Sequence, residues 1–318
     1  MDSTMFSNFV VAVSAVVPMF FLMSIGALVK YQKLLNDEEL NHMNRVVFRV
    51  FFFCMLFHSI YSTELMTSFR PKLFLFGVLG VLIIFTLLMF IVPLVEPENR
   101  RRGVLVQAVF RSNFVIMGVP IVANIFGDTN IAVATMMIFF TVPLYNILSV
   151  FALETFRGGK FALVPILKGI SKNPMILGAL TGLTLRILDV EVPAPILKPI
   201  GQISAATTPI ALIILGASFK FGSTHEHRKQ LLAVIFCRLI LVPAVLLFTA
   251  AYVFHFRGEA FVTLITLFAT PCAVASFAMA QQMGGDADLA GNCVVFSSAL
   301  SCFTMFLWIL LFKTFGIF

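Results

Sequence analysis

Charge is scarce in this sequence. Asp, Glu, Lys and Arg make up 12% of its 318 residues, against about 25% in soluble domains. Apolar residues reach 60% and the mean hydropathy is +1.01. That excludes a soluble chain and leaves an all-α polytopic membrane protein. Acid is absent from the middle of every apolar run, because all 15 Asp and Glu fall at or near segment ends. An intramembrane aspartyl protease, which needs two buried aspartates, is excluded. So is a carboxylate proton relay across the midplane. Cysteine is sparse and unpatterned. Cys54, Cys237, Cys272, Cys293 and Cys302 are odd in number, lie in apolar runs and form no CxxC. They read as small packing residues. HEHRK (225–229) is not HExxH and reads as a solvated charged loop. No catalytic or metal-ligand constellation remains, so neither an enzyme nor a cofactor is expected.

Long apolar runs are what the sequence does have. Runs 3–29, 73–95, 129–153, 199–219, 260–285 and 289–312 contain no Asp, Glu, Lys or Arg. Shorter or interrupted runs occur at about 41–62, 103–127, 164–187 and 230–255. With about 20 residues needed per crossing, the sequence predicts ten transmembrane helices. The first run is too long for a cleaved signal and reads as a retained helix. Links are short, the longest being the basic one near 157–172. The net charge of +7 reflects sidedness rather than nucleic acid. Links 30–49, 96–102, 157–172 and 220–229 carry 14 Lys and Arg; the remaining links and the C-terminus carry six. This bias predicts a multi-pass protein of the plasma or inner membrane with both termini outside.

An internal repeat runs at an offset of about 157 residues. VPMFFLMSIGALVK (17–30) resembles NPMILGALTGLTLR (173–186), and FGDTNIA (126–132) resembles GGDADLA (284–290). The units are 1–157 and 158–318, five helices each. Five is odd, so the second copy inserts upside down. Inverted repeats of this kind are typical of secondary transporters.

The fourth segment holds VFRSNFVIMGVP (109–120) and the ninth holds ATPCAVAS (269–276). Asn113, Gly118 and Pro120 disrupt one; Pro271, aligned with Asn113, disrupts the other. Proline lacks an N–H and clashes with the preceding turn. Broken helices at membrane depth survive only where protein or a wet cavity satisfies the freed groups. Where two such helices cross, their half-helix N-termini suit an anion. Arg111 adds a fork that fits a carboxylate; its alternatives are to snorkel to the boundary or to pair structurally. Asn113 supplies donors and an acceptor, or a helix–helix bond. Arg238 in the eighth segment either pairs with backbone carbonyls or serves gating. Thr207 and Thr208 touch ligand or bond back to their own helix. Phe51, Phe52 and Phe53 form an apolar wall for ligand or an ordinary packing surface. His58 is a packed or interfacial histidine, or a proton carrier.

RSNFVIMGVPIVANIFGD (111–128), ETFRGGK (154–160), KNPMILGALTGL (172–183), PIALIILGASF (209–219), Arg238 with Pro243, and ATPCAVASFAMAQQMGGD (269–286) together resemble the auxin efflux carrier family. That family includes plant PIN-type carriers and short bacterial organic-acid carriers, and the likeness covers essentially the whole chain. The resemblance implies a bile-acid-symporter-like fold with crossover helices 4 and 9 and elevator-type motion. It also implies that Asn113, Pro120, Pro271 and Ser276 lie near substrate. Two departures stand out. The long central loop of many plant members is missing, and Phe52 stands where many members carry proline. The expected function is secondary active transport of small organic anions, mono- or dicarboxylates of malonate-like or auxin-like type. The alternative is a sodium-coupled solute symporter or anion channel of the same fold, with Thr207, Thr208, Gln281 or Gln282 assisting a sodium ion. Proton coupling is also open. Expected partners are the anion and the lipid bilayer, with a homodimer as an open arrangement and no nucleic acid.

Overall fold

The computed structural model describes residues 2–62, 70–127, 131–157, 163–220 and 222–318. Residues 128–130 of FGDTNIA and 158–160 of ETFRGGK lie outside the described residues. The described chain is helical: α1 Asp2–Tyr31, α2 Asp37–Tyr61, α3 Pro71–Val95, α4 Asn99–Phe110, α5 Phe114–Phe126, α6 Ala132–Arg157, α7 Leu163–Lys172, α8 Pro174–Ile187, α9 Ala194–Ser218, α10 Arg228–Tyr252, α11 Gly258–Ala269, α12 Ala275–Gln282 and α13 Ala287–Thr314. Among the described residues, six helices are long and apolar enough to cross a membrane. Shorter apolar helical stretches accompany them: Val16–Tyr31 within α1, Phe114–Phe126, Pro174–Ile187 and Gly258–Ala269.

Caps explain several boundaries. Asn36 and Glu39 form a capping box before α2, each side chain accepting from the other's backbone N–H at 2.9 and 2.7 Å. The Asn173 side-chain oxygen accepts from the N–H groups of Met175 and Ile176, and Pro174 occupies the first turn where its missing N–H costs nothing. Asp286 caps α13 through Leu289. Gly127, at φ +88°, closes α5 in a conformation that a side chain would resist. Wider π turns occur at Val47–Phe51 in α2 and Cys237–Leu241 in α10. The second precedes Pro243 and accommodates its missing donor. The first persists although Phe52, not proline, follows it.

Two bundles emerge from the packing. Helices α1, α2, α8 and α9 pack chiefly on one another; α3–α6 and α10–α13 form the second group, with α1 also lying along α13. The first bundle is joined backbone to backbone. A Cβ on Gly26 would stand 1.9 Å from the Ile213 carbonyl oxygen, and one on Gly216 would stand 2.0 Å from that of Met23. On α8, Gly178 and Gly182 make the same approach to Phe53 and Phe57 of α2, in the small-xxx-small spacing that lets membrane helices touch.

Two expectations need correction. The link near 157–172 is largely helix, since α7 spans Leu163–Lys172. The run at 164–187, read as shorter or interrupted, does break in two, because the Asn173 cap starts α8 afresh. HEHRK is not a solvated loop throughout: His227 is only 3% exposed, with Nε2 3.3 Å from Asp286. Arg101 also reaches Asp286, Glu98 and Glu226, so this charged end is knitted rather than loose.

Candidate functional site

The fourth segment breaks at Arg111–Asn113, between α4 and α5. Gly118 and Pro120, expected as breakers, lie beyond the gap. A π turn at Phe114–Gly118 runs directly into the helix carrying Pro120. The wider turn absorbs the missing proline donor, so the break falls earlier. The ninth segment breaks at Thr270–Val274, between α11 and α12. The two gaps pair as a short antiparallel bridge between Ser112 and Cys272. Asn113 N–H donates to the Pro271 carbonyl at 2.8 Å, and Ala273 N–H to the Arg111 carbonyl at 3.3 Å. Cys272 N–H donates to Ser297 Oγ at 3.1 Å. These freed donors, each costly when buried unpaired, are thus satisfied by protein.

Arg238 satisfies the acceptors. Its guanidinium, fully buried, donates to the carbonyls of Thr270, Val109 and Leu267 at 2.8, 3.0 and 3.2 Å. These carbonyls end α11 and α4, where helix dipoles are negative. Arg238 is therefore a clamp on both half-helices, matching the carbonyl-pairing alternative.

Arg111 is bonded differently. It is 4% exposed. Its acceptors are Asn146 Oδ1 at 2.8 Å, Met279 Sδ at 2.6 Å and Ser149 Oγ at 3.4 Å. All are neutral, and no carboxylate pairs with it among the described residues. A buried cation without a counterion is a costly arrangement.

A cavity of about 70 Å³ lies against these breaks. The second bundle contributes Arg111, Ser112, Asn113, Val115 and Ile116, then Ala273–Ala275, with Val142 and Tyr145 of α6. The first bundle contributes Phe52, Met55 and Leu56 of α2, Met175 of α8, and Thr208 and Ala211 of α9. Val115, Ile116, Val274 and Ala275 belong to the first turns of α5 and α12 or their caps. The first N–H groups of a helix have no intrahelical partner and carry its positive dipole end. The cavity thus has two helix N-termini and a guanidinium on one side and an apolar wall on the other.

Of the residues singled out by sequence, Arg111, Asn113, Thr208 and Phe52 come together here. Pro120 and Thr208 line a neighbouring opening of about 420 Å³ with Pro18, Met19 and Asn124. Thr207 is buried, and its hydroxyl donates to the Ile203 and Phe51 carbonyls at 3.0 and 3.1 Å. Gly118 packs against Phe114 and Thr266. Pro271 contributes its carbonyl to the bridge, and Ser276 is buried in the first turn of α12. Sequence reasoning missed Ser112, Tyr145, Asn146 and Ser149. A polar Asn146 inside the run 129–153 was the one visible signal for them. Ser112 Oγ and the Tyr145 hydroxyl lie 3.0 Å apart.

A family profile described as "Membrane transport protein" matches residues 11–165 and 159–309. The chain belongs to the membrane transport protein family. This is the auxin efflux carrier family that the sequence resembles. An uncharacterized transporter from Methanothermobacter thermautotrophicus is 26% identical over 309 residues, covering 94% of this chain and 98% of its own length. This family member is therefore a multi-pass membrane protein of transport type.

Proposed function

We propose that this family member is a secondary active transporter of small organic anions, mono- or dicarboxylates. The observation that carries the reading is the buried Arg111 guanidinium, which lines the cavity and has only neutral acceptors. A carboxylate supplies the missing countercharge in bidentate geometry. Asn113 and the first N–H groups of α5 and α12 complete its shell, while Phe52, Met55 and Met175 meet its hydrocarbon part.

We read the spans as ten, in two inverted five-helix units, 1–157 and 158–318, crossing at the breaks. Both termini lie outside a plasma or inner membrane. Alternating access is of the elevator type. Apart from Thr208, the polar lining belongs to the second bundle and the wall to the first. Anion-binding groups therefore travel together along a largely apolar face, so the substrate keeps its partners during the motion. The glycine-sealed first bundle suits the fixed scaffold. Pro120, Pro271, Ser276, Gly118 and Thr207 shape the crossover behind the lining.

Counterflow in proteoliposomes across a panel of carboxylates, with sodium and proton gradients imposed separately, tests this. Exchange of at least one carboxylate, abolished by Arg111→Ala, is expected. Uptake only of neutral or cationic solutes, or flux at channel rates without counterflow, would overturn the reading.

A further inference from the structure

A second cavity opens at the basic end of the molecule, between the two bundles, with about 740 Å³ of open space. Its first-bundle wall carries Arg49 and Asn173, and Lys168 and Lys172 of α7 stand beside them. The second bundle supplies Glu154, Arg157 and Gln282. The one acid is engaged, since Glu154 pairs with Arg157 at 3.3 Å. Arg49, Lys168 and Lys172 pair with no carboxylate among the described residues. Asn173 is 5% exposed. Its oxygen is committed to capping α8, and its amide nitrogen has no acceptor among the described residues. The excess of positive charge therefore lies on the wall formed by Arg49, Lys168 and Lys172, while Glu154 and Arg157 balance on the other.

This vestibule adjoins the central cavity without sharing its lining. Phe53 and Pro174 face the one, while their chain neighbours Phe52 and Met175 face the other. Arg111 and both half-helix N-termini are absent from it.

We propose that the vestibule is a second anion-binding site, holding a carboxylate- or phosphate-bearing molecule between Arg49, Lys168 and Lys172. Converging cations in a cleft with low-dielectric walls concentrate anions. The width suits an anion still partly hydrated, so affinity is lower and less shape-selective than at Arg111. The same chemistry accepts a free organic anion or the phosphate of a lipid headgroup.

The test is a local reporter in the full chain. Leu177, 42% exposed, lines the vestibule. Leu177→Cys is alkylated in nanodiscs by iodoacetate, an anion, or by neutral iodoacetamide, with reaction of the native cysteines subtracted using the parent chain. The ratio of the two rates cancels changes in thiol reactivity and reads anion enrichment. Gln282→Cys repeats the measurement from the opposite wall. The ratio is expected to exceed, by at least about threefold, that of the same reporter combined with Arg49→Gln, Lys168→Gln and Lys172→Gln. Malonate is expected to lower it saturably at fixed ionic strength. Enrichment in both phosphatidylcholine and phosphatidylglycerol discs assigns a free anion to the site. Enrichment lost only in phosphatidylglycerol assigns the lipid headgroup. A ratio insensitive to the three glutamines overturns the proposal, as does a malonate effect no larger than that of potassium chloride at equal ionic strength. Neither outcome depends on transport, so failure of the Arg111 reading is recorded separately.

Discussion

The backbone N–H of Asn113 donates to the Pro271 carbonyl at 2.8 Å, and Ala273 returns a bond to Arg111, which leaves Ser112 and Cys272 directly opposite. In such a non-hydrogen-bonded antiparallel pair the Cα atoms stand about 4.5 Å apart, inside the range a disulfide requires. Ser112→Cys is therefore expected to cross-link with the native Cys272 under mild oxidation, read by peptide mapping. Cross-linking to none of the cysteines, or preferentially to Cys54 or Cys302, would contradict the pairing of the two breaks.

The two buried arginines should fail in different ways. Arg238→Gln leaves carbonyls of Thr270, Val109 and Leu267 without their donors. At about 1–3 kcal/mol for each unsatisfied group, the loss is several kcal/mol and appears as a large fall in Tm or in yield. Arg238→Lys recovers little, because an ammonium cannot span three divergent carbonyls. A Tm within a few degrees of the parent would show that the clamp is dispensable.

Arg111→Gln should spare the fold and stop transport. Its acceptors are neutral, so removing the charge relieves a desolvation cost rather than breaking an ion pair. Thermal stability is expected to hold or rise. Carboxylate counterflow is expected to fall by at least about 10-fold to 100-fold, the worth of one charge-assisted bond at about 1.5–3 kcal/mol. Equal losses of stability and transport would make Arg111 a structural residue like Arg238.

Gly178 tests the first bundle. A methyl group there would sit 2.4 Å from the Phe53 carbonyl oxygen, which is backbone and cannot swing aside. Gly178→Ala is expected to destabilise by about 1–3 kcal/mol, the usual cost of overpacking, seen as a lower Tm in detergent. An unchanged Tm would mean that α2 and α8 lie farther apart than this contact requires.

The breaks were legible because proline, asparagine and arginine stand out in apolar runs. Their positions were not. Pro120 marks a disturbance, but the π turn at Phe114–Gly118 moves the gap to Arg111–Asn113. The cavity's polar side was partly readable through Arg111 and Asn113. Its apolar side was not, because Met55, Met175 and Ala211 resemble every other core residue until tertiary contacts choose among them. Arg238 illustrates a third case. Its residue type announced importance, but the three carbonyls it bonds come from distant parts of the chain and could not be read from it. His227 was misread because a charged pentapeptide says nothing of Asp286, nearly sixty residues away, packing over it.

Ala211 offers a test of the cavity that leaves every proposed anion-binding group in place. It is 3% exposed, lies on α9, and faces the cavity from the apolar wall. Ala211→Phe adds a ring that the neighbouring void of about 70 Å³ is expected to receive in part. Filling a void restores dispersion contacts, so Tm is expected to change little or rise. Transport is expected to drop at least about 10-fold, as occupation of the site by one aromatic side chain excludes substrate sterically; loss of one methylene-scale fit already costs about 1–3 kcal/mol. Ala211→Ser, which keeps the volume nearly constant, is expected to retain most activity. Should the phenylalanine variant carry carboxylates at the parental rate while folding normally, substrate does not pass between α9 and the paired breaks, and the path must lie elsewhere in the molecule.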